Sequence, residues 1–396
     1  MKDSYRFKIL TLNCWGVPTR LACKLRKERI SAIGETLNRG EYDIVVLQEI
    51  WNQDDYKTLC KLTNEMLPYK HYFYGGMIGT GVCIFSKYRI AETMTWRYTL
   101  NGSFYAVHRG DWFGGKGVGL AKLQIGDYRL HIYGTHLHAA YSDTDDEYKM
   151  DRLSQAFELS EFVRNTSAGC DGYIVCGDFN YSCGQRGYEI IRANARLKDA
   201  WLTQLNKPED DSQGMTCDKP DNTFYSDKKT VPCRIDFVMY GNNGGVDLKC
   251  RQCFVTMRQI PGRDYYYSDH EGVCAEFDLS GNVTMSPTSA CSKDELTKLL
   301  EPCINLCEKT EVEFDKKRSL SIYLWFFCLL YLFTIYYFSI GELKWMPISM
   351  FIALTRFTGS VLACILPWYF LVVCNFELGS LLNVKLNMKN LIQSYD

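Results

Sequence analysis

The chain contains the stretch Tyr-Ile-Val-Cys-Gly-Asp-Phe-Asn at residues 173–180. Its first four residues form an apolar run, which predicts a buried strand. Asp178 and Asn180 follow two positions apart, so in an extended chain both side chains point to the same side. A second stretch, Ser268-Asp269-His270, places a carboxylate beside an imidazole just before another strand-like run. Together they offer oxygen ligands for a hard metal ion and a base for water, as metal-assisted phosphoester hydrolysis requires.

Strand-like and helix-like segments alternate through residues 1–280, which predicts an α/β domain. Several strands end directly in a polar residue, and strand ends are where α/β folds gather their chemistry. Residues 206–232 are polar and rich in turn formers, so we predict a long surface loop there. The predicted strands are Phe7–Asn13, Ile44–Glu49, Val82–Ser86, Gly117–Gln124, Arg129–His136, Tyr173–Asp178, Ile235–Tyr240 and Val273–Phe277, and the predicted helices are Leu25–Asn38, Asp54–Met66 and Glu147–Arg164.

Composition narrows the class of protein. The chain has 396 residues and a net charge of −1, without the clearly basic balance that nucleic-acid binding usually needs, so we expect no nucleic-acid partner. Its 18 cysteines are scattered without a CxxC pair or a zinc-ligand spacing, which indicates reduced thiols in a cytosolic domain. Residues 1–6 are polar and do not form the apolar core of a signal peptide.

Two long apolar segments lie near the C-terminus. Leu320–Ile340 carries no charged residue and, at about 1.5 Å per residue, has a length of about 30 Å, the thickness of a bilayer core. Pro347–Phe376 carries Arg356 as its single charge. The short connection between them predicts an antiparallel transmembrane hairpin at residues 320–376, followed by a cytosolic tail at residues 377–396. The alternative is a hairpin buried in a soluble core.

Charge and sequons predict the orientation of this hairpin. Lys316-Lys317-Arg318 precedes the first span, so the positive-inside rule places the large N-terminal domain in the cytosol. Asn180 begins a formal glycosylation sequon, and a glycan there would block the candidate site. We therefore expect an integral membrane protein with two spans and a cytosolic catalytic domain.

Residues 281–319 are predicted to combine a linker with an amphipathic juxtamembrane helix. Ser292–Glu295 has the capping-box pattern of a helix start. Apolar residues follow at helical spacing as far as Cys307, and this stripe packs on the domain or lies at the membrane surface. Pro302 interrupts the stripe, which predicts a kink or a break.

Further candidate site residues lie at other strand ends. Glu49 follows the apolar run Ile44–Leu47 and Gln48, and a carboxylate at the end of a buried strand must be solvated or bound to a ligand. Asn13 ends the first predicted strand, where the alternative reading is a turn-forming asparagine. An ordinary exposed strand end is likewise the alternative for Glu49.

A carboxylate and an imidazole form the candidate acid–base pair. Asp236 lies among apolar neighbours in a predicted strand and needs a partner, for which His270 and Arg234 are the alternatives. His270 is the candidate general base for the attacking water, and Asp269 beside it is a candidate metal or water ligand. His136 or His138, at another strand end, could donate to a phosphate oxygen.

A glycine-rich segment at residues 109–117 differs from these strand ends. It holds Asp111 and Lys116 five positions apart, with Trp112 and Phe113 between them. The two aromatic residues are candidates for insertion at a lipid surface, and Lys116 is a candidate for contact with a phosphate. The alternative is a plain hairpin loop with an Asp–Lys pair.

This set of motifs resembles the DNase I-like endonuclease/exonuclease/phosphatase superfamily, and the resemblance covers nearly all of residues 1–280. The resemblance implies a four-layer α/β sandwich of two packed β-sheets with helices outside, followed by the C-terminal transmembrane helical hairpin. Within the superfamily, residues 12–16, residues 135–138, the Asp111–Lys116 loop and the hairpin look like the membrane-bound neutral sphingomyelinases. The motifs that carry the resemblance are Asn13, Gln48-Glu49, Gly177–Asn180, Arg234–Phe237 and Ser268–His270.

The resemblance also implies an activity and its parts. It implies Mg²⁺-dependent cleavage of sphingomyelin to ceramide and phosphocholine, with Mn²⁺ as an alternative metal. Glu49 would bind the metal with Asn13 near it, and Asp178 and Asn180 would position nucleophile and phosphate. His136 would stabilise the transition state, while Asp236 holds the base His270. The Asp111–Lys116 pair resembles a switch-like loop element.

Alternatives with the same core remain open at this point. They are a phospholipase C acting on lyso-phosphocholine lipids, a phosphoinositide phosphatase, a nuclease and a membrane scaffold with an inactive domain. An activating anionic lipid is a candidate further partner. The resemblance and the predicted hairpin together favour the endoplasmic reticulum as the membrane.

Overall fold

A computed structural model of the chain describes residues 3–18, 23–107, 109–141, 146–207, 213–225, 231–281, 291–337 and 346–394. The chain divides into two compact units, Met1–Leu299 and Leu300–Asp396. Most of the predicted linker (residues 282–290) and of the predicted turn between the spans (residues 341–345) lies outside the described residues. The domain boundaries predicted at residues 280, 319 and 376 stay predictions.

The first unit alternates strands and helices. Its strands are β1 (Tyr5–Asn13), β2 (Ile44–Gln48), β3 (Tyr69–Tyr72), β4 (Cys83–Ser86), β5 (Ile90–Arg97), β6 (Gly117–Ile125), β7 (Tyr128–His136), β8 (Gly172–Asp178), β9 (Lys198–Asp199), β10 (Asp236–Asn242), β11 (Asp247–Thr256) and β12 (Gly272–Ser280). Its helices are α1 (Arg26–Leu37), α2 (Gln53–Leu62), α3 (Asp111–Gly114), α4 (Lys149–Thr166), α5 (Arg186–Asn194) and α6 (Ala200–Thr203).

The strands form two six-stranded sheets. The first has the order β11-β12-β1-β2-β4-β3, and the second has the order β5-β6-β7-β8-β10-β9. One core cluster lies between the sheets and combines Ile9 and Val46 of the first with Ile132 and Ile174 of the second. Helices cover both outer faces, because separate clusters join α1 and α2 to the first sheet and α4 and α5 to the second. The predicted four-layer α/β sandwich is confirmed.

All eight predicted strands are present, and their ends either coincide with the prediction or differ from it by at most three residues. The prediction missed β3, β5, β9 and β11, and each of these is an edge strand of its sheet. It also missed α5 and the short helices α3 and α6.

The segment predicted as a surface loop at residues 206–232 is more than a loop. In its described part, Cys217 forms an isolated antiparallel bridge with Cys233. Thr216 and Asn222 are buried, and Asn222 donates hydrogen bonds to the backbone carbonyls of Ser268 and Asp269 at 3.0 and 3.3 Å. The polar composition therefore supports hydrogen bonds to the interior as well as exposure to water.

The second unit consists of long helices. The first is α7 (Lys293–Tyr337), which begins in the first unit; the second is continuous through α8 (Met346–Trp368), a π-helical turn (Tyr369–Val373) and α9 (Cys374–Gln393). Both contain apolar windows long enough to cross a membrane, and only 17% and 22% of the residues in these windows are buried. That exposure argues against the alternative of a hairpin buried in a soluble core.

Side-chain contacts show that the two helices run antiparallel. Tyr331 donates to Thr355 at 2.6 Å, and the indole nitrogen of Trp325 donates to the carbonyl oxygen of Ala363 at 3.0 Å. Arg356 lies over the ring of Tyr336 at 5.0 Å, so its charge meets the C-terminal end of α7.

Before the first apolar window and after the second, α7 and α9 form a charged helix pair, here called the stalk (residues 300–318 and 375–391). Lys385 forms an ion pair with Glu311 at 2.5 Å, and Lys389 with Glu308 at 3.2 Å. Each helix buries an apolar stripe, which consists of Leu300, Cys303, Ile304 and Cys307 on α7 and Leu381, Val384, Met388 and Leu391 on α9. The predicted amphipathic stripe thus belongs to a helix paired with the C-terminal segment, which neither reading of the sequence anticipated.

Of the kink or break predicted at Pro302, the break is absent from the described helix, because α7 continues through that position, and the kink stays a prediction. A proline removes one N–H donor from the helix interior, and a helix of this length can lose one such bond and continue.

Gly177 in β8 offers a test of how tightly this sheet is packed. Its φ is +145°, and a Cβ atom there would lie 1.9 Å from the carbonyl oxygen of Thr135 on the neighbouring β7. Gly177→Ala should therefore lower the free energy of unfolding of the first unit by more than about 3 kcal/mol, since strain and overpacking add. Urea unfolding followed by tryptophan fluorescence of the full chain in micelles measures this loss.

Gly169→Ala is the matched control. Gly169 also has a left-handed φ, of +78°, but a Cβ atom there meets nothing within 4 Å. We expect a loss of about 1–2 kcal/mol from the backbone conformation alone. Equal losses for the two variants would contradict the close contact between β7 and β8.

Candidate active site

Strand register gathers three of the predicted residues at one end of the second sheet. His136 ends β7 and is the register partner of Asp178 at the end of parallel β8. Asp236 begins β10 and is the register partner of Asp178 on the antiparallel side. Because register partners point to the same face of a sheet, these three side chains are neighbours.

The first sheet contributes two further candidate site residues, Asn13 at the end of β1 and Glu49 in the turn after β2. The side-chain nitrogen of Asn13 donates to Glu49 Oε1 at 3.1 Å and to Asp178 Oδ2 at 3.0 Å, so it bridges the two sheets. Asp178 Oδ2 also lies 3.5 Å from His136 Nε2 and 4.0 Å from His270 Nε2. Asp178 is therefore the residue on which the candidate site converges.

His270 is paired with Asp236, as the sequence suggested. Its Nδ1 lies 2.9 Å from Asp236 Oδ2, and the hydroxyl of Thr216 donates to the same oxygen at 2.6 Å. Arg234, the alternative partner, pairs instead with Asp199 at 2.8 Å. A carboxylate at Nδ1 holds the proton there, so that in the neutral imidazole the lone pair of Nε2 is directed toward Asp178.

Two of the site residues adopt backbone conformations that the sequence did not reveal. Glu49 has a φ of 58° and Asn180 a φ of 48°, in the left-handed region that non-glycine residues seldom adopt. The predicted strand end at Asp178 is confirmed, but the expectation that the chain stays extended from Asp178 to Asn180 is wrong, because Asn180 has a left-handed φ. Instead the backbone N–H of Asn180 donates to Asp178 Oδ1 at 2.9 Å, and its side chain donates to the carbonyl of Leu137 at 3.0 Å.

Lys116 connects the glycine-rich segment to the site. Its ammonium lies 3.0 Å from Asp111 Oδ1 and 3.1 Å from His136 Nε2, and it donates to the carbonyl of Leu137 at 2.8 Å. Burial, and then the charge of Lys116, lower the pKa of His136 well below its usual value, so this imidazole is neutral at pH 7. The Asp–Lys pair of the plain loop reading exists, and it also contacts a site histidine.

Asp111 is held by several polar side chains. His138 Nε2 lies 3.6 Å from its carboxylate, and Tyr141 donates a hydrogen bond to it. Burial raises the pKa of Asp111, but Lys116 and His138 outweigh burial and bring that pKa below its usual value. Trp112 and Phe113 are half-buried and lie on the short helix α3 rather than on an extended loop.

No local sequence pattern indicated three residues that support the site. Thr216 lies in a polar segment that predicted a surface loop, yet it binds Asp236. Cys217, next to it, places its sulfur 3.5 Å from His270 Nε2. The ring of Trp51 lies 6.4 Å from that of His136 and contacts the positions of Gly81 and Gly114. These roles depend on tertiary contacts that no local pattern records.

The oxygen-rich side of the site fits a divalent cation. Burial, and then the carboxylate of Asp269, raise the pKa of Glu49, while burial raises the pKa of Asp269 and, with Asp236, that of Asp178. Carboxylates gathered in this way need a positive charge, and oxygen donors are those that hard cations prefer. The amide oxygen of Asn13 accepts from the N–H of Trp15 at 3.0 Å, so ligation through Asn13 would require its amide to rotate.

A protein-family model described as the endonuclease/exonuclease/phosphatase family matches residues 10–270. A putative neutral sphingomyelinase from Caenorhabditis elegans is 34% identical to the chain over 98% of its residues and 92% of the relative. The chain belongs to the neutral sphingomyelinase branch of the endonuclease/exonuclease/phosphatase family. It is therefore a hydrolase, and the resemblance predicted from the motifs is confirmed.

Other relatives in this family differ in the substrates that their names give. Human sphingomyelin phosphodiesterase 2 is 36% identical over 69% of this chain, which spans 64% of the human protein. An inositol phosphosphingolipids phospholipase C from Schizosaccharomyces pombe is 34% identical over 66% of each protein. Beta toxin from Staphylococcus aureus, in a crystal structure with bound magnesium ions, has the same fold, with a TM-score of 0.52 and 19% identity over 68% of this chain and 99% of that one.

We predict that a divalent cation stabilises the first unit through Glu49. A ligand that binds the folded state at 100 times its Kd adds about 2.7 kcal/mol to the free energy of unfolding. Addition of Mg²⁺ should therefore raise the melting temperature of the wild-type chain, and Glu49→Gln should abolish most of this rise. Thermal unfolding in micelles, with and without a chelator, measures it.

Glu189→Gln is the matched control for this measurement. Glu189 pairs with Arg192 on α5, outside the candidate site. Its variant should keep the full metal-dependent rise. An unchanged rise in Glu49→Gln would place the cation elsewhere.

Proposed function

We propose that the chain hydrolyses sphingomyelin to ceramide and phosphocholine by a phospholipase C-type reaction. The observation that carries the proposal is the pairing of His270 with Asp236 at 2.9 Å, next to the Asp178 carboxylate and the oxygen-rich cluster. The nematode and human relatives support sphingomyelin as the substrate, and the two apolar helices support a lipid in a membrane.

The reaction needs a base for water, and His270 is placed to supply it. Its Nε2 and Asp178 Oδ2 are 4.0 Å apart, a separation that allows one water molecule to hydrogen-bond to both. His270 would take one proton from this water as its oxygen forms a bond to phosphorus. The bond from phosphorus to the ceramide oxygen breaks, and that oxygen leaves as an alcohol after taking a proton from solvent water, to which His270 afterwards returns the proton that it accepted.

Other residues would position the phosphate and offset its charge. Asn180 and His136 lie next to Asp178, where the side-chain amide of Asn180 would donate an N–H to a phosphate oxygen. His136 would donate as well once its Nε2 carries the proton and Lys116 turns toward the phosphate. Lys116, within 3.1 Å of His136, adds a positive charge on the same side. Asp236 and Thr216 fix the orientation of the imidazole of His270.

Mg²⁺ is the proposed metal, with Mn²⁺ as an alternative, held by Glu49 with Asp269 and Asn13 nearby. When bound, it would polarise the phosphate and neutralise its oxygens. The electrostatic surroundings of His270 support a cation at this site. Burial lowers the pKa of this imidazole, but the carboxylates of Asp236, Asp178 and Asp269 outweigh burial and raise it well above its usual value. A nearby cation would offset this field and return the base to its neutral form.

The proposed location follows from the helices and the charges beside them. We propose an integral membrane protein with two spans, with its catalytic unit on the cytosolic side of the endoplasmic reticulum membrane. The basic residues 316–318 at the base of the first apolar window support this orientation. The internal hydrogen bond of the Asn180 side chain supports it too, because a glycan would replace that bond.

Phosphocholine release from sphingomyelin tests the proposed function. Wild-type chain in mixed micelles should release phosphocholine with Mg²⁺ and stop with a chelator, and His270→Ala should reduce kcat by about 10²-fold or more because the general base is lost. His71→Gln, at a half-buried histidine on β3, is the control and should keep the activity.

The same assay distinguishes the alternative substrates. Lyso-phosphatidylcholine and an inositol phosphosphingolipid serve as parallel substrates, and release of inorganic phosphate from phosphoinositides tests for a phosphatase. Turnover of one of these in the absence of phosphocholine release from sphingomyelin would replace the proposed substrate. Full activity in His270→Ala would remove the proposed base.

The pH dependence of kcat/KM provides a separate test of the Asp236–His270 pair. Because Asp236 stabilises the protonated imidazole, Asp236→Asn lowers the pKa of His270. The acid limb of the profile should therefore move to lower pH, while kcat falls by about 10³–10⁴-fold as the imidazole loses its tautomer. An acid limb that stays in place would show that it reports another group.

A further inference from the structure

A second cluster of metal-binding side chains lies beside the proposed base. Cys217 and Cys233 are paired across an antiparallel bridge, with two N–H···O bonds of 3.1 Å. The sulfur atoms of these cysteines and a carboxylate oxygen of Asp218 lie within 4.8 Å of one another. All three residues are partly exposed, so an ion from solvent can reach them.

The position of Cys217 relative to His270 matches the geometry of a zinc site. Its sulfur lies 3.5 Å from His270 Nε2. Bond lengths of about 2.3 Å to sulfur and about 2.0 Å to nitrogen, at a tetrahedral angle, separate the two ligand atoms by about 3.5 Å. The bond between His270 Nδ1 and Asp236 completes the carboxylate–histidine arrangement that orients metal-bound imidazoles.

We propose that Cys217, Asp218 and Cys233 bind a thiophilic divalent cation such as Zn²⁺. His270 Nε2, 3.5 Å from the Cys217 sulfur but outside the group formed by the other three ligand atoms, becomes the fourth ligand through a movement of these side chains. Thiolates select zinc over magnesium, whereas the cluster around Glu49 offers oxygen donors that magnesium prefers. The chain thus carries two neighbouring cation sites of different chemistry, which share the surroundings of one imidazole. Zinc binding must displace the thiol protons of both cysteines.

Occupation of this site has a direct consequence for the reaction. Zinc at Nε2 takes the lone pair that would accept the proton of water, so the zinc-bound enzyme is inactive. Binding itself does not depend on the proposed function, but the inhibition rests on it. We therefore use two measurements, one of zinc binding and one of inhibition, so that failure of the proposed metal site can be told from failure of the proposed function.

Cobalt spectroscopy tests the binding site without reference to activity. The full chain in micelles, with Mg²⁺ and a phosphine reductant, is titrated with Co²⁺, whose thiolate complexes absorb strongly in the near ultraviolet. Wild type should develop this absorption and lose it on addition of Zn²⁺. Cys233→Ser should bind cobalt at least about tenfold more weakly, since even changes to groups around the ligands cost about 10–100-fold in affinity.

Cys183→Ser is the matched control, because Cys183 is an exposed cysteine of the same unit. This variant should bind cobalt as wild type does. Wild type without the thiolate absorption, or equal absorption in wild type and Cys233→Ser, would overturn the proposed site.

Inhibition by Zn²⁺ is then measured relative to the zinc-free activity of each variant. Wild type and Cys183→Ser should be inhibited at least about tenfold more strongly than Cys233→Ser. Equal inhibition in all three that excess Mg²⁺ relieves would mean that zinc displaces magnesium, and it would overturn the inhibitory role. If zinc-free wild type releases no phosphocholine, the proposed function fails while the cobalt absorption still decides the site.

Discussion

The hydrogen bond of 3.0 Å from Asn13 to Asp178 joins the two sheets where their central strands end. Asn13 ends β1 in the first sheet and Asp178 ends β8 in the second, so the sandwich must bring these ends within one hydrogen bond of each other. Gly177 allows β7 and β8 to approach at that point, since a side chain there would strike the Thr135 carbonyl. The site therefore depends on how the two sheets are packed as much as on its own residues.

The sequence predicted the inner strands of both sheets and missed the edge strands. Strands such as β2 and β8 are buried along their whole length, and their continuous apolar runs are easily recognised. By contrast β5 is exposed along most of its length, and it contains Glu92, Thr93 and Thr95. Edge strands lack a neighbour on one side and carry polar residues, so their pattern resembles that of a loop.

The residues of the candidate site also fall into two groups, those that the sequence predicted and those that it did not. Glu49, Asp178 and His270 were predictable because each follows or precedes a buried strand and has no structural need to be polar. Thr216 was not, because its role comes from a contact with Asp236 across 20 positions of sequence. The left-handed conformations of Glu49 and Asn180 were hidden for a related reason, since surrounding contacts rather than residue type hold them.

The stalk determines where the chain can be truncated without exposing apolar residues. Its ion pairs join Glu308 and Glu311 to Lys389 and Lys385, although these residues are separated by the whole hairpin, and both helices bury an apolar stripe beside them. A chain that stops after residue 376 keeps both apolar windows but leaves the stripe of α7 without its partner. An apolar stripe exposed to water favours self-association. The C-terminal twenty residues therefore keep the chain soluble by burying this stripe.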